Sequence, residues 1–228
     1  MSKNKNRKTV CIISPHMDDE TLGMGGTIVK HINNGDHVHV CFIAHRIYNR
    51  EFDPGINDRE KKCALQAKKM LGYKEIEFIN LNDERLDAAV QDIIIPLEKY
   101  VNKIKPDIVY IPFRGDNHQD HRAVFDAARV VLRSLATPFV KSIYMYEVPS
   151  STDQSPQLPE SSFMPNYYVN IKSSIEKKIK AYRCYKAEKR KFPNPRSEQA
   201  LRILAQKRGV EAGMEYAEAY MLLRNRWE

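Results

Sequence analysis

Short apolar runs alternate with longer amphipathic stretches from residue 9 to about residue 146. The runs at 9–14 (TVCIIS), 37–43 (HVHVCFI), 75–79 (EIEFI), 107–112 (DIVYIP) and 140–146 (VKSIYMY) have strand length and β-branched content. Between them, apolar residues recur at helical spacing over about 20–34, 58–72, 88–104 and 119–135. Gly72, directly after KKML, reads as the glycine that closes the second helix. Strand alternating with helix implies crossover connections. The expected fold is therefore α/β, a mostly parallel, Rossmann-like sheet with helices on both faces.

From Pro149 to Pro165 the chain changes character, and PSSTDQSPQLPESSFMP reads as a long loop. YYVNI (167–171) follows as a candidate edge strand, then a basic helix within 172–192, a break at FPNPRS, and helical segments near 197–208 and 214–223. Too little core-forming chain follows the loop for a second unit. The expected organisation is one domain over 1–228, an α/β core at 1–148 with a loop and helical extension at 149–228 packing on it.

Composition changes this picture little. With 42% hydrophobic and 29% charged residues, 228 residues read as an ordinary soluble chain, and no apolar run approaches a transmembrane span. The basic N-terminus precedes an apolar stretch too short for a secretory signal, and no small-residue cleavage site follows. Cys11, Cys41, Cys63 and Cys184 show no metal or redox spacing and read as thiols of a reducing compartment, so the expected location is cytoplasmic. The net charge of +8 lies partly in the tail KNKNRK, expected to fray, and partly in 172–192. A solvated helix face explains that second cluster. So does attraction to an anionic substrate, nucleic acid or membrane surface.

Two polar clusters change the picture more. PHMDDE (15–20) follows the first strand, and RGDNHQDHR (114–122) follows DIVYIPF. Loops leaving the carboxyl ends of parallel strands share one rim, so clusters a hundred residues apart can form one site. Helix capping by Asp18, Asp19 or Asp116, with Glu20 favoured by the helix dipole, accounts for some of the carboxylates. It gives no reason for three imidazoles. A metal ion does, because Zn²⁺ takes nitrogen and carboxylate ligands and keeps a position for water. His16 and Asp19, three apart where a loop becomes a helix, can reach one ion. Residue type alone does not choose between Asp18 and Asp19, and the further ligand comes from His118 or His121. The remaining groups suit hydrolysis: a carboxylate to take a proton from water, an imidazole for the oxyanion or the leaving amine, and Asp120 to orient an imidazole.

PHMDDE followed by HQDH resembles the paired signature of the LmbE-like (PIG-L) zinc-dependent N-deacetylases, roughly P-H-P-D-D-E and H-x-D-H. YEVPSS and KRGVEAGMEYAEAY also resemble segments of bacterial members acting on N-acetylated sugars. The resemblance implies one Zn²⁺ per chain, held by His16, Asp19 and His121. It implies that Asp18 is the general base and His118 the second catalytic imidazole, supported by Asp120. The implied substrate is a small N-acetylglucosamine-type sugar conjugate, hydrolysed to acetate and a free amine. Met17 stands where the family has proline, and Asn194 where related sequences have the histidine of P-H-P-R-S. Arg59 is nearest to a substrate arginine of the family but one residue out of register. It, Arg114 and Arg196 are the candidate substrate contacts, with Arg46 and Arg50 on nearby rim loops.

Two other classes remain in competition. A nucleic-acid or anionic-surface binding module would use the 172–192 face, but the chain lacks aromatic–basic interleaving, and no nucleic-acid partner is expected. A dinucleotide oxidoreductase would use GMGG (23–26), but this lacks G-x-G-x-x-G spacing and falls inside the helix. The basic excess favours an anionic carrier on the sugar, and a homo-oligomer is compatible with the sequence.

Overall fold

The computed structural model describes residues 7–46 and 53–227. Arg50 and most of the tail expected to fray lie outside them. Seven strands form one sheet: β1 (Thr9–Ser14), β2 (His37–His45), β3 (Glu75–Asn82), β4 (Ile108–Pro112), β5 (Ser142–Tyr146), β6 (Tyr167–Asn170) and β7 (Ala217–Asn225). Their order is β3-β2-β1-β4-β5-β7-β6. The first five are mutually parallel, and β7 runs antiparallel to both β5 and β6.

The apolar runs become strands because they can be buried on both sides. Along β1, Val10 and Ile12 join one core while Cys11 and Ile13 join the other. Helices α1 (Asp19–Asn33), α2 (Ile56–Leu71), α5 (Ile175–Tyr182) and α6 (Glu198–Glu211) cover the first face. Helices α3 (Val90–Ile104) and α4 (Gln119–Val131) cover the second. Gly72 closes α2 with φ 92°, donating its N–H to the Lys68 carbonyl. The glycines of GMGG serve close packing: a Cβ at Gly23 would sit 2.5 Å from the Tyr146 ring, and one at Gly26 2.7 Å from Ile171. Burial pushes the Cys11 thiol up to about 12 and Cys41 well above its ordinary value, as expected of small core residues.

The carboxyl-terminal part departs from the helical expectation. The segment expected to be helical at 214–223 is instead β7, and 149–228 supplies two strands to the sheet as well as helices. Ala, Glu, Met and Leu favour a helix locally, but β5 otherwise presents an unpaired edge. Pairing Tyr220 with Tyr146, and burying Ala217, Ala219 and Tyr220, outweighs that preference. The basic segment is α-helical only over Ile175–Tyr182, with a short 3-10 turn at Lys186–Glu188, and Lys178 points inward to Glu218 at 2.7 Å. Among the described residues, no helix is long and apolar enough to cross a membrane.

Strand order reverses between β1 and β4, which are adjacent and parallel. The two polar clusters leave the carboxyl ends of these two strands, where a parallel sheet opens a crevice.

Candidate metal centre

His16 comes from the turn between β1 and α1, Asp19 is the first residue of α1, and His121 comes from the first turn of α4. His16 Nδ1 lies 3.3 Å from Asp19 Oδ2, His121 Nε2 lies 3.3 Å from the same oxygen, and the two nitrogens are 3.3 Å apart. These three atoms form an equilateral triangle. A tetrahedral Zn²⁺ with bonds of about 2.0–2.1 Å needs ligand atoms about 3.3–3.4 Å apart. Asp19 Oδ1, fully buried, has no hydrogen-bond partner among the described residues. Two imidazole nitrogens and a carboxylate converging beside an unsatisfied buried oxygen fit a cation.

Each imidazole is held from behind. His16 Nε2 meets Asp120 Oδ2 at 2.9 Å, and His121 Nδ1 faces Asp116 Oδ2 at 3.3 Å. Asp120 also accepts the amides of Glu84 (2.7 Å) and Leu86 (3.1 Å), so Oδ2, the oxygen facing His16, already has two partners. A second grouping of His16, His118 and Asp120 is therefore better suited to orientation than to holding an ion. Asp116 is anchored by the Ser151 hydroxyl, by Thr152 Oγ1 at 2.6 Å and by the His118 amide at 2.8 Å.

The charges follow this wiring. Burial opposes charge on His16, yet Asp120 and Asp19 raise it to about 10; burial likewise opposes charge on His121, yet Asp19 and Asp116 raise it to about 9. Burial alone would raise the Asp19 carboxyl, but His121 and His16 outweigh it and hold it well below the carboxylate range. His118 goes the other way, to about 4, through burial and then repulsion from His16 and His121. Its Nδ1 accepts the Asp120 amide at 3.2 Å, so the neutral ring carries its proton on Nε2. Burial raises Asp18 well above an ordinary carboxyl. Asp18 adopts φ 140°, a left-handed-side backbone rare for a side-chain-bearing residue, and makes no side-chain cap.

Asp18, Asp19, His16, His118, Asp120 and His121 are thus brought together. The partner of Asp120 differs from expectation: its carboxylate holds His16, and only its backbone amide meets His118. Arg196 joins the site, 3.1 Å from Asp18 Oδ2 and 2.5 Å from Glu188 Oε2, with Nε donating to Ser150 Oγ at 2.6 Å. Glu188 also takes Arg46 at 2.9 Å. Arg59 is exposed and pairs with Asp53, and Arg114 is exposed. Sequence reasoning missed Asp116 as the support of His121, although it stood within RGDNHQDHR. It also missed Glu188, for which the basic run 186–191 offered no signal.

The family profile described as "PIG-L: GlcNAc-PI de-N-acetylase" matches residues 11–132. The uncharacterized deacetylase YaiS of Escherichia coli (strain K12) is 30% identical over 177 residues, 75% of this chain and 86% of its own. The diacetylchitobiose deacetylase of Thermococcus kodakarensis is 27% identical over 232 residues, 94% of this chain and 82% of its own. The solved N,N'-diacetylchitobiose deacetylase from Pyrococcus horikoshii superposes with a TM-score of 0.75 at 24% identity, covering 96% of this chain and 85% of that one.

Proposed function

This chain belongs to the PIG-L family, and on that footing we propose that it is a Zn²⁺-dependent hydrolase removing the acetyl group from an N-acetylglucosamine-type sugar conjugate. The observation that carries the metal dependence is the 3.3 Å triangle of His16, Asp19 and His121 beside the unsatisfied Asp19 Oδ1. An ion held there would supply Lewis acidity and a water of lowered pKa.

The chain's own groups do the rest. Asp18, with its carboxyl raised by burial, is basic enough to take a proton from the attacking water. Having taken it, Asp18 can return it to the departing nitrogen. His118 stays neutral and presents Nε2–H, which suits a hydrogen bond to the developing oxyanion better than proton donation. Arg196 holds the Asp18 carboxylate from the side. Asp120 and Asp116 fix the rings of His16 and His121.

Arg46 pairs with Glu60 and Glu188, and Arg196 with Asp18 and Glu188, so the expectation of an anionic carrier rests on the basic excess of the chain as a whole. The free cysteines favour a reducing, cytoplasmic setting. The surface-binding alternative is weakened because Lys178 is internal and Arg183 and Lys189 are paired with Glu198. Acetate release from a panel of N-acetylglucosamine conjugates, with and without chelator, tests the reading. Chelator-sensitive release supports it, and no release from any conjugate overturns it.

A further inference from the structure

Glu20 is wholly buried, and none of the steps above uses it. Its place in the first turn of α1 fits a carboxylate favoured by the helix start, and its bonds reach back to the residue before the helix and across to Tyr185 as well. Oε2 accepts the Asp18 amide at 3.2 Å, and Oε1 accepts the hydroxyls of Thr21 at 2.6 Å and Tyr185 at 2.8 Å.

The Asp18 amide is the point where such support matters. On its far side, the Asp18 carbonyl accepts the amides of Thr21 (3.0 Å) and Leu22 (2.8 Å), so α1 fixes the peptide that follows. On its near side, Glu20 holds the N–H of the peptide that precedes. Rotation about the N–Cα bond is what φ measures, and both ends of that rotation are therefore anchored. The anchors keep φ at 140°, where a residue with a side chain would not rest unaided. That rotation also sets the direction of the carboxylate, which meets Arg196. Tyr185, just beyond α5, ties Glu20 to the same segment that carries Glu188 and Arg196.

We propose that Glu20 is a positioning residue: it pins the strained backbone of Asp18 through the Asp18 amide, and Tyr185 holds Glu20 for that task. The inference rests on the deacetylase reading for its kinetic consequence but not for its structural one. The test uses the full chain loaded with Zn²⁺, as Glu20→Gln, Glu20→Leu and Tyr185→Phe, with p-nitrophenyl N-acetyl-β-glucosaminide as probe. Free amine, zinc content and the crystal structure of Glu20→Leu are measured.

Glu20→Leu is expected to lose about 10- to 100-fold in kcat through a misplaced base, with KM and zinc content within about twofold. Its Asp18 φ is expected to leave the positive region. Glu20→Gln is expected to stay within about threefold of wild type, because the carboxamide oxygen still accepts the amide while the hydroxyls turn to accept its N–H. Tyr185→Phe is expected to fall between them. The proposal is overturned if Glu20→Leu keeps wild-type kcat, loses zinc in step with activity, or retains φ near 140°. It is equally overturned if Glu20→Gln is as impaired as Glu20→Leu. Failure of the deacetylase reading looks different: wild type itself releases no amine, and the φ measurement still decides the positioning role.

Discussion

The Asp120 carboxylate sits 2.9 Å from His16 Nε2, across 104 residues of sequence, while the neighbouring His118 receives only the Asp120 backbone amide. The acid between the two histidines of HQDH therefore serves the other motif. With Nε2–H held by Asp120, Nδ1 is the His16 atom that would give up its proton and turn a lone pair to an ion between Asp19 and His121.

Asp120→Asn is accordingly expected to weaken zinc affinity about 10- to 100-fold, the usual effect of removing a carboxylate behind a ligating histidine. His118→Ala, which removes no atom of the triangle, is expected to keep affinity within about threefold while losing turnover by about 10²–10³-fold. Competition with a chromogenic chelator separates the two. Equal losses of affinity in both variants would assign His118 to the ion instead.

Metal loading is expected to change how stability depends on pH. In the metal-free protein, His16 at about 10 and His121 at about 9 both lie above the ordinary histidine value of about 6.5. Raised folded-state values stabilise fully below the unfolded value, and that contribution is lost as pH rises through the folded values. EDTA-treated protein should thus lose Tm steadily between about pH 7 and 10. Zinc-loaded protein should not, because its imidazoles are already neutral. Zinc uptake at pH 7 should also release protons, which calorimetry in buffers of different ionisation enthalpy reads directly. Parallel Tm profiles for the two forms would contradict this charge assignment.

Much of this arrangement was legible in the sequence, because both motifs directly follow strands buried on both faces. Periodicity placed β1 and β4, and parallel-sheet topology brought PHMDDE and HQDH to one rim. What periodicity could not supply was partnership. Asp116 looked like a cap because capping is local; it does accept the His118 amide two residues on, but its bonds to Ser151 and Thr152 span more than thirty residues. Segment 214–223 looked helical because its residues favour helix, and only the open edge of β5 makes it a strand. Glu188 sits in a run of lysines and arginine, and only the fold shows it facing Arg46 and Arg196.

The C-terminal strand should prove thermodynamically coupled to α1 through one buried pair. The backbone of α1 breaks at Met24, freeing the amides of Gly26 and Thr27, which donate to Glu218 on β7 at 2.9 and 2.7 Å. Lys178 neutralises that carboxylate at 2.7 Å, and both side chains are buried. Lys178→Met leaves an uncompensated charge and should cost about 3–5 kcal/mol in urea unfolding. Lys178→Met combined with Glu218→Gln should cost less than Lys178→Met alone, because the stranded charge is gone. A double variant as unstable as the sum of the singles would refute the coupling.

The backbone of Asp18 predicts a trade between stability and activity at a single position. At φ 140° a residue with a Cβ carries about 1–3 kcal/mol of strain, which glycine relieves. Asp18→Gly and Asp18→Ala both remove the carboxylate and its contact with Arg196, so their difference isolates the backbone. Asp18→Gly should therefore be more stable than Asp18→Ala by about 1–2 kcal/mol. Both should retain zinc and lose turnover by about 10²–10⁴-fold, the range for a lost general base. Urea midpoints, zinc content and acetate release on the same two proteins check all three statements. Equal stability of the glycine and alanine variants would mean that the chain relaxes at Asp18 once the carboxylate is gone, and that the strain belongs to the side chain's contacts.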